Sequence, residues 1–247
     1  MTAAYDEYDY PAYWEKRQYE HESEVIALKS FLSQIPKIKK IIDIGAGFGR
    51  LTPYYAFRAK KVVLTDPSSK LLKEARKRLV YENVDFVQAC LDKTDKKFRK
   101  GSFDVVVMVR VLHHIENPRQ TFSVVERLLS RGGYLILEFP NKVHWKAVWA
   151  NFAKGDFTYP LDIFTSDRRK RKKALPFYNF HPDEVKQELK DHDFRLIQTR
   201  SVSNIRSPLV KKYIPLSVLV FFERNLQKIL ASISFGPSIF ILAQKKG

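Results

Sequence analysis

The stretch "KKIIDIGAGFGRLTPYY", Lys39 to Tyr55, sets three glycines within five residues directly after a short β-branched run that carries one acid. Ile41, Ile42 and Ile44 favour extended backbone, so residues 38 to 44 read as a buried strand rather than a helix. The strand breaks at Gly45, Gly47 and Gly49, which reach backbone angles closed to other residues and let a ligand approach the main chain. A glycine-rich turn at the end of a strand marks a nucleotide site at a strand-to-helix turn. Because residue 50 is Arg, the spacing is GxGxG and not the GxGxxG that receives a dinucleotide pyrophosphate.

Working outward, "KKVVLTDPSSKLLKEARKRL" predicts a second strand through Val62 to Leu64 that ends at Asp66. A helix follows, with Leu71, Leu72, Ala75 and Leu79 on one face and Ser68 or Ser69 as its cap. "VDFVQAC" reads as a third strand and "SFDVVVMVRVL" as a fourth, while "TFSVVERLLSRGGYLILEF" reads as a helix, a glycine turn and a fifth strand. Pro182 opens a helix whose first turn is acidic, Asp193 stands where a positive φ would end it, and "FRLIQTRSV" and "PSIFILAQKK" supply two more strands. Strands and helices alternating at this spacing imply an α/β fold, a mostly parallel seven-stranded Rossmann-like sheet with helices on both faces. Residues 1–35 precede it, and 36–247 form one domain interrupted by insertions at 141–181 and 204–236.

The chain has 247 residues, 45% of them hydrophobic, which suits one large domain. Its one cysteine, Cys90, permits no internal disulfide and fits a reducing, cytoplasmic setting. Cys90 itself reads as a small buried filler. The N-terminus shows no charged-then-apolar signal pattern, and the apolar runs are too short for a spanning helix. Net charge is +17, and residues 141–247 hold 20 Lys and Arg against 9 Asp and Glu, so an anionic partner for that half is an expectation.

Asp43 two residues before Gly45, the GxGxG loop, Asp66 ending the second strand and "GSFDVVVMVRVLHHIENPRQTFSVVERLLSRGGYLILEFPNK" together carry a resemblance. The chain resembles the class I S-adenosylmethionine-dependent methyltransferases, in the small-molecule branch that includes ubiquinone and menaquinone biosynthesis methyltransferases, across about residues 36–140 and 178–203. The resemblance implies S-adenosylmethionine as cofactor. It sets the backbone of Gly45, Ala46, Gly47 and Gly49 against the methionine part, with Asp43 orienting the loop or meeting the ammonium. Asp66, followed by Pro67, is expected to accept hydrogen bonds from both ribose hydroxyls. Leu91 and Asp92 are placed at the adenine, Asp92 being either its partner or a solvent-facing acid. Val109 and Arg110 stand where a carbonyl meets the ammonium. In "YPAYWEKRQYEHESEVIAL" the resemblance implies a lid in which Tyr13, Trp14 and Tyr19 cover the site and Arg17 pairs with the methionine carboxylate; an ordinary amphipathic helix accounts for it equally.

His113 and His114 are the candidate catalytic residues, as a general base or as packing beneath the cofactor. They are not a metal pair, since adjacent side chains diverge and no further ligands cluster nearby. The insertions are expected to build the acceptor site, with Trp145, Trp149, Phe152, Phe157, Tyr159, Tyr178 and His181 as an aromatic wall. Within 204–236, Leu219, Leu226, Ile229, Leu230 and Ile233 fall on one helical face opposite Glu223, Arg224 and Lys228, a face for the core or for a membrane. The cation run Arg168 to Lys173 is a solvated loop, a contact with anionic lipid or a contact with RNA, with lipid ahead of RNA because no RNA-reading module accompanies it. The expected function is methyl transfer to an oxygen, nitrogen or carbon of a small or lipid-like acceptor. An RNA methyltransferase, or a non-catalytic protein that binds the same cofactor, are the alternatives; nucleic acid ranks behind because "VRVLHHI" stands where an amino-methylating "NPPY"-like motif would be.

Overall fold

The strand that precedes the glycines lies at the middle of a sheet in the computed structural model, which describes residues 10–163, 167–169 and 177–247. The chain begins with helices α1 (Tyr10–Glu15) and α2 (Gln18–Leu32), then β1 (Ile38–Ile44), β2 (Ala59–Asp66), α3 (Ser69–Arg78) and β3 (Val84–Gln88). It continues through α4 (Leu91–Lys97), β4 (Phe103–Met108), α5 (Pro118–Leu128), β5 (Leu129–Pro140) and α6 (Trp145–Phe152). A small ribbon of β6 (Asp167–Arg169) and β7 (Phe177–Asn179) leads to α7 (Pro182–Asp191), β8 (Phe194–Val202), α8 (Pro208–Tyr213), α9 (Leu216–Ala231) and β9 (Ser238–Lys245). Most of the Arg168–Lys173 run falls outside the described residues.

The main sheet has seven strands in the order β3-β2-β1-β4-β5-β9-β8. Pairing is parallel from β3 to β5, and β9 runs antiparallel to both its neighbours. Side chains alternate between the faces, as the period of a strand requires. Ile41, Val62, Val105 and Val107 belong to one core with Leu28 and Phe31 of α2. Ile42, Ile44, Val106 and Met108 belong to the other with Phe122 and Val125 of α5 and Val185 and Leu189 of α7. Each such side chain contributes about 1.5–3 kcal/mol when buried, so both faces need their helices. After β1 the chain turns to β2 on one side, and after β4 to β5 on the other. The carboxyl ends of β1 and β4 therefore flank a crevice at the point where strand order reverses.

Caps follow the sequence. The Leu71 N–H donates to Ser68 Oγ at 3.1 Å at the start of α3, and Asp193 ends α7 with φ +59°. Three expectations are corrected. No α-helix follows the glycines: the segment folds as two 3-10 turns, Thr52–Tyr54 and Ala56–Arg58. Pro53 lacks an N–H and disfavours helical backbone at Thr52, and only a few residues remain before β2. The expected turn at Gly132 and Gly133 lies inside β5, where the register against β4 shifts. The third concerns α9, whose buried residues are Leu219, Glu223, Gln227 and Ala231, while Leu226, Ile229 and Ile233 are exposed. Glu223 is drawn inward because it accepts hydrogen bonds from Tyr19 Oη and from the backbone N–H of Ser203 and Asn204.

Candidate active site

The crevice holds a cavity of about 290 Å³. The loop after β1 forms its floor. The N–H groups of Gly45 and Ala46 both donate to Thr65 O, at 2.8 and 3.0 Å, which ties the loop to the end of β2. Gly45 has φ +71°, and a Cβ there would lie 2.4 Å from Val111 Cγ2, so no larger residue fits. Gly47, at φ +58°, differs: a Cβ there would meet nothing closer than Leu71 Cδ1 at 3.9 Å and the Tyr10 ring at 4.0 Å. The main chain at Gly47 is thus bare toward the cavity it lines.

Asp66 closes one end of this floor. Gly47 N–H donates to its Oδ2 at 2.9 Å and Ser68 N–H to its Oδ1 at 2.8 Å. Each carboxylate oxygen has two acceptor sites, so the backbone orients Asp66 and leaves acceptor capacity for a ligand. Asp43, also lining the cavity, accepts from Tyr55 Oη. Burial pushes its carboxyl up to about 7, with the Tyr55 hydrogen bond opposing and nearby Asp66 adding to the rise. Two buried acids thus face a space that a cationic ligand would neutralise.

Opposite them stand two arginines held by one acid. Glu24 of α2, fully buried, accepts from Arg50 and from Nε and one terminal nitrogen of Arg110 at 2.8 and 2.6 Å. Burial works to raise the Glu24 pKa, but the guanidiniums of Arg110 and Arg50 hold it below the ordinary glutamate value. Arg50 also donates to His21 Nδ1 at 2.7 Å and lies 3.5 Å over the Trp14 ring. Arg110 adopts φ +64°, uncommon for a side chain of its size, and its N–H donates to buried Glu138 at 2.8 Å. Both arginines line the cavity and keep spare donors for an anion.

The cavity gathers Asp43, Gly45, Ala46, Gly47, Asp66, Pro67, Leu91, Val109, Arg110 and His114 from the residues the sequence pointed to. Gly49 does not line it; that glycine faces Leu79 of the α3 end. Asp92 is exposed in the first turn of α4 and stays outside. Arg17 is outside too, resting on the Tyr13 ring at 4.2 Å, because α1 and α2 turn it away from the glycine loop. Arg50 lines the cavity instead. Its signal was the residue next to the last glycine, which the spacing argument used only to exclude a pyrophosphate. Of the lid aromatics, Tyr10 lines the cavity, Trp14 is buried against Phe48 and Leu71, Tyr13 stacks on Tyr10, and Tyr19 points away to Glu223.

His113 is buried behind His114, their rings 3.9 Å apart, and also meets Phe177 at 4.6 Å. Cys90, expected to be buried, is exposed at the cavity rim because β3 ends before it. The expected aromatic wall is not part of the cavity lining: Trp149 and Phe157 face outward, Tyr178 belongs to the core, Tyr159 donates to Lys142 O, and His181 caps α7. No cluster of metal-ligating side chains occurs among the described residues.

The donor set suits S-adenosylmethionine. Asp66 offers acceptors for two vicinal hydroxyls, Pro67, Ala89 and Leu91 offer apolar walls for a purine, and the arginines and Asp43 offer charges opposite to those of an amino acid.

Comparisons with known proteins agree with this geometry. Residues 42–137 match the family described as a methyltransferase domain. The chain is 27% identical over 210 residues to the methyltransferase-named protein 235L of Invertebrate iridescent virus 6, covering 74% of this chain and 76% of that one. It is 29% identical over 106 residues to the ubiquinone biosynthesis O-methyltransferase of Dechloromonas aromatica, covering 42% of this chain and 45% of that enzyme. The chain thus spans less than half the length of that enzyme. Among solved structures, a methyltransferase from Thermotoga maritima superposes with TM-score 0.62 at 17% identity, over 96% of this chain and 95% of that one. Magnesium protoporphyrin IX methyltransferase from Synechocystis, solved with bound S-adenosylhomocysteine, gives 0.60 at 20%, over 92% and 84%. At these identities the structural likeness speaks to the fold.

Proposed function

We propose a small or lipid-like acceptor for this chain, which is a class I S-adenosylmethionine-dependent methyltransferase with S-adenosylmethionine as its cofactor. When bound, the cofactor supplies a methyl group on a sulfonium, open to in-line displacement by a nucleophile. In this reading Asp66 holds the ribose hydroxyls, Gly47 lets the cofactor lie against the main chain, and Arg50 and Arg110 meet the methionine carboxylate. Asp43 faces the cofactor's positive charge. Holding nucleophile and methyl in line supplies much of the rate without a strong base. His114 is the ring at the cavity edge that an acceptor hydroxyl can reach, and His113, tilted against it from behind, positions it.

The observation that carries the reading is the lining around His114. Val111 and Ile115 make that part of the cavity apolar, which fits an apolar acceptor better than a phosphate-bearing one. The likeness to ubiquinone O-methyltransferases supports an oxygen as the atom methylated. We place the enzyme in the cytoplasm, in peripheral contact with a membrane; no helix among the described residues is long and apolar enough to cross one. The test is release of S-adenosylhomocysteine on incubation with S-adenosylmethionine and a panel of phenols, amines, polyprenylated phenols and tRNA. Turnover with phenols, strongest with the polyprenylated ones, is expected. Turnover with tRNA alone would overturn the reading.

A further inference from the structure

Helix α9 presents its polar side to the protein and its apolar side to solvent. Its buried positions recur every four residues, and the two central ones are polar: Glu223 is 1% and Gln227 0% exposed. These polar groups have specific partners. Besides its bonds to Tyr19, Ser203 and Asn204, Glu223 is joined to Gln227, whose Nε2 also donates to Ser23 O at 2.8 Å. The rotation of the helix is therefore set by buried hydrogen bonds whose loss would be costly. The exposed side carries Val218, Phe221, Phe222 and Ile229, with Ile233 just past the helix end, beside Arg224, Asn225 and Lys228; Phe221 is 63%, Ile229 66% and Ile233 67% exposed.

The apolar surface continues past the helix. Phe235 stacks on Trp145 at 5.6 Å, and Trp149, one turn further along α6, is 67% exposed. Along α8 and α9 the exposed charges share one sign. Between residues 207 and 236 the only acid is Glu223, which is buried, while Lys212, Arg224 and Lys228 are exposed and Lys211 pairs with Glu20. Surface this apolar is rare on a protein without a partner. A second copy across a two-fold axis would set these cations against themselves. An anionic bilayer meets both features, since a helix lying in the membrane plane buries its apolar side among acyl chains while flanking cations pair with headgroups and tryptophans sit at the interface.

We propose that α9, with the adjoining end of α6, is the surface on which this protein lies on an anionic lipid membrane. The proposal deepens the reading of a membrane-proximal, lipid-like acceptor, and vesicle binding is read without any acceptor, so the two can fail separately. The experiment is cosedimentation of the full chain with phosphatidylcholine vesicles and with vesicles containing phosphatidylglycerol. It compares the wild type, Phe221→Ser/Ile229→Ser/Ile233→Ser, Arg224→Gln/Lys228→Gln and a variant with the six cations at 168–173 replaced by Ser, with S-adenosylhomocysteine affinity as the control for folding and size-exclusion chromatography for the oligomeric state. The wild type sediments with the anionic vesicles and far less with phosphatidylcholine alone. The apolar variant stays in the supernatant, and the cation variant binds about 25-fold more weakly, roughly fivefold per cation; both keep wild-type affinity for S-adenosylhomocysteine. The proposal is overturned if the wild type ignores both vesicles or the apolar variant sediments like it. It is also overturned if binding is lost only on replacing the six cations at 168–173, or if the wild type is a dimer that the apolar variant splits.

Discussion

Replacing Asp66 by Asn separates its two proposed duties. In the folded chain its carboxylate accepts one backbone N–H on each oxygen, from Gly47 and from Ser68. An amide keeps one acceptor oxygen and turns a donor toward the other N–H, so one buried donor loses its partner. That costs about 1–3 kcal/mol, and for a chain of this size lowers the melting temperature by about 2–4 °C per kcal/mol, hence by roughly 2–12 °C. If the same carboxylate also holds the ribose, losing one charge-assisted hydrogen bond costs a further ~1.5–3 kcal/mol on binding alone, a factor of about 10 to 150. Calorimetric titration with S-adenosylhomocysteine, beside thermal unfolding of the same samples, reads both quantities. A variant that melts lower as expected yet binds S-adenosylhomocysteine within twofold of wild type would refute the reasoning and leave Asp66 as a loop staple.

Three further outcomes are expected. Glu24→Gln takes the buried carboxylate from two half-buried guanidiniums and destabilises the fold by about 1–3 kcal/mol, seen as a drop in melting temperature. An unchanged melting curve would show that the arginines do not need Glu24. Arg50→Ala weakens S-adenosylhomocysteine binding at least tenfold by calorimetry, roughly the contribution of one charged hydrogen bond, whereas Arg17→Ala leaves it unchanged; the reverse ranking would return the carboxylate to Arg17. Asp43 has its folded pKa raised to about 7 from 3.8, so its protonated form contributes stability that is present at low pH and lost as pH rises toward and through 7. Asp43→Asn should flatten that part of the stability-against-pH curve of the cofactor-free protein, and a curve of unchanged slope would contradict the assignment.

The sequence by itself determined the sheet and the end of it that matters. Ile41 to Ile44, the glycines and Asp66 act through strand period and turn geometry over a few residues, and such local rules are written in adjacent letters. The seven strands, the cap at Ser68 and the positive φ at Asp193 were legible for the same reason. The missing helix after Gly49 was legible in principle at Pro53, where the glycine pattern suggested a helix that the proline forbids. Only the tertiary structure decided the rest. Glu24 joins Arg50 and Arg110 across 26 and 86 positions of chain, and Glu223 joins Tyr19 across 204. No periodicity announces such partnerships, because a charged residue with a partner and one facing water look alike until docking removes the water. The donors Tyr19, Ser203 and Asn204 offset that loss of water and hold Glu223 inward, which leaves the apolar residues of α9 outward, and Glu24 holds Arg50 at the cavity that Arg17 does not line.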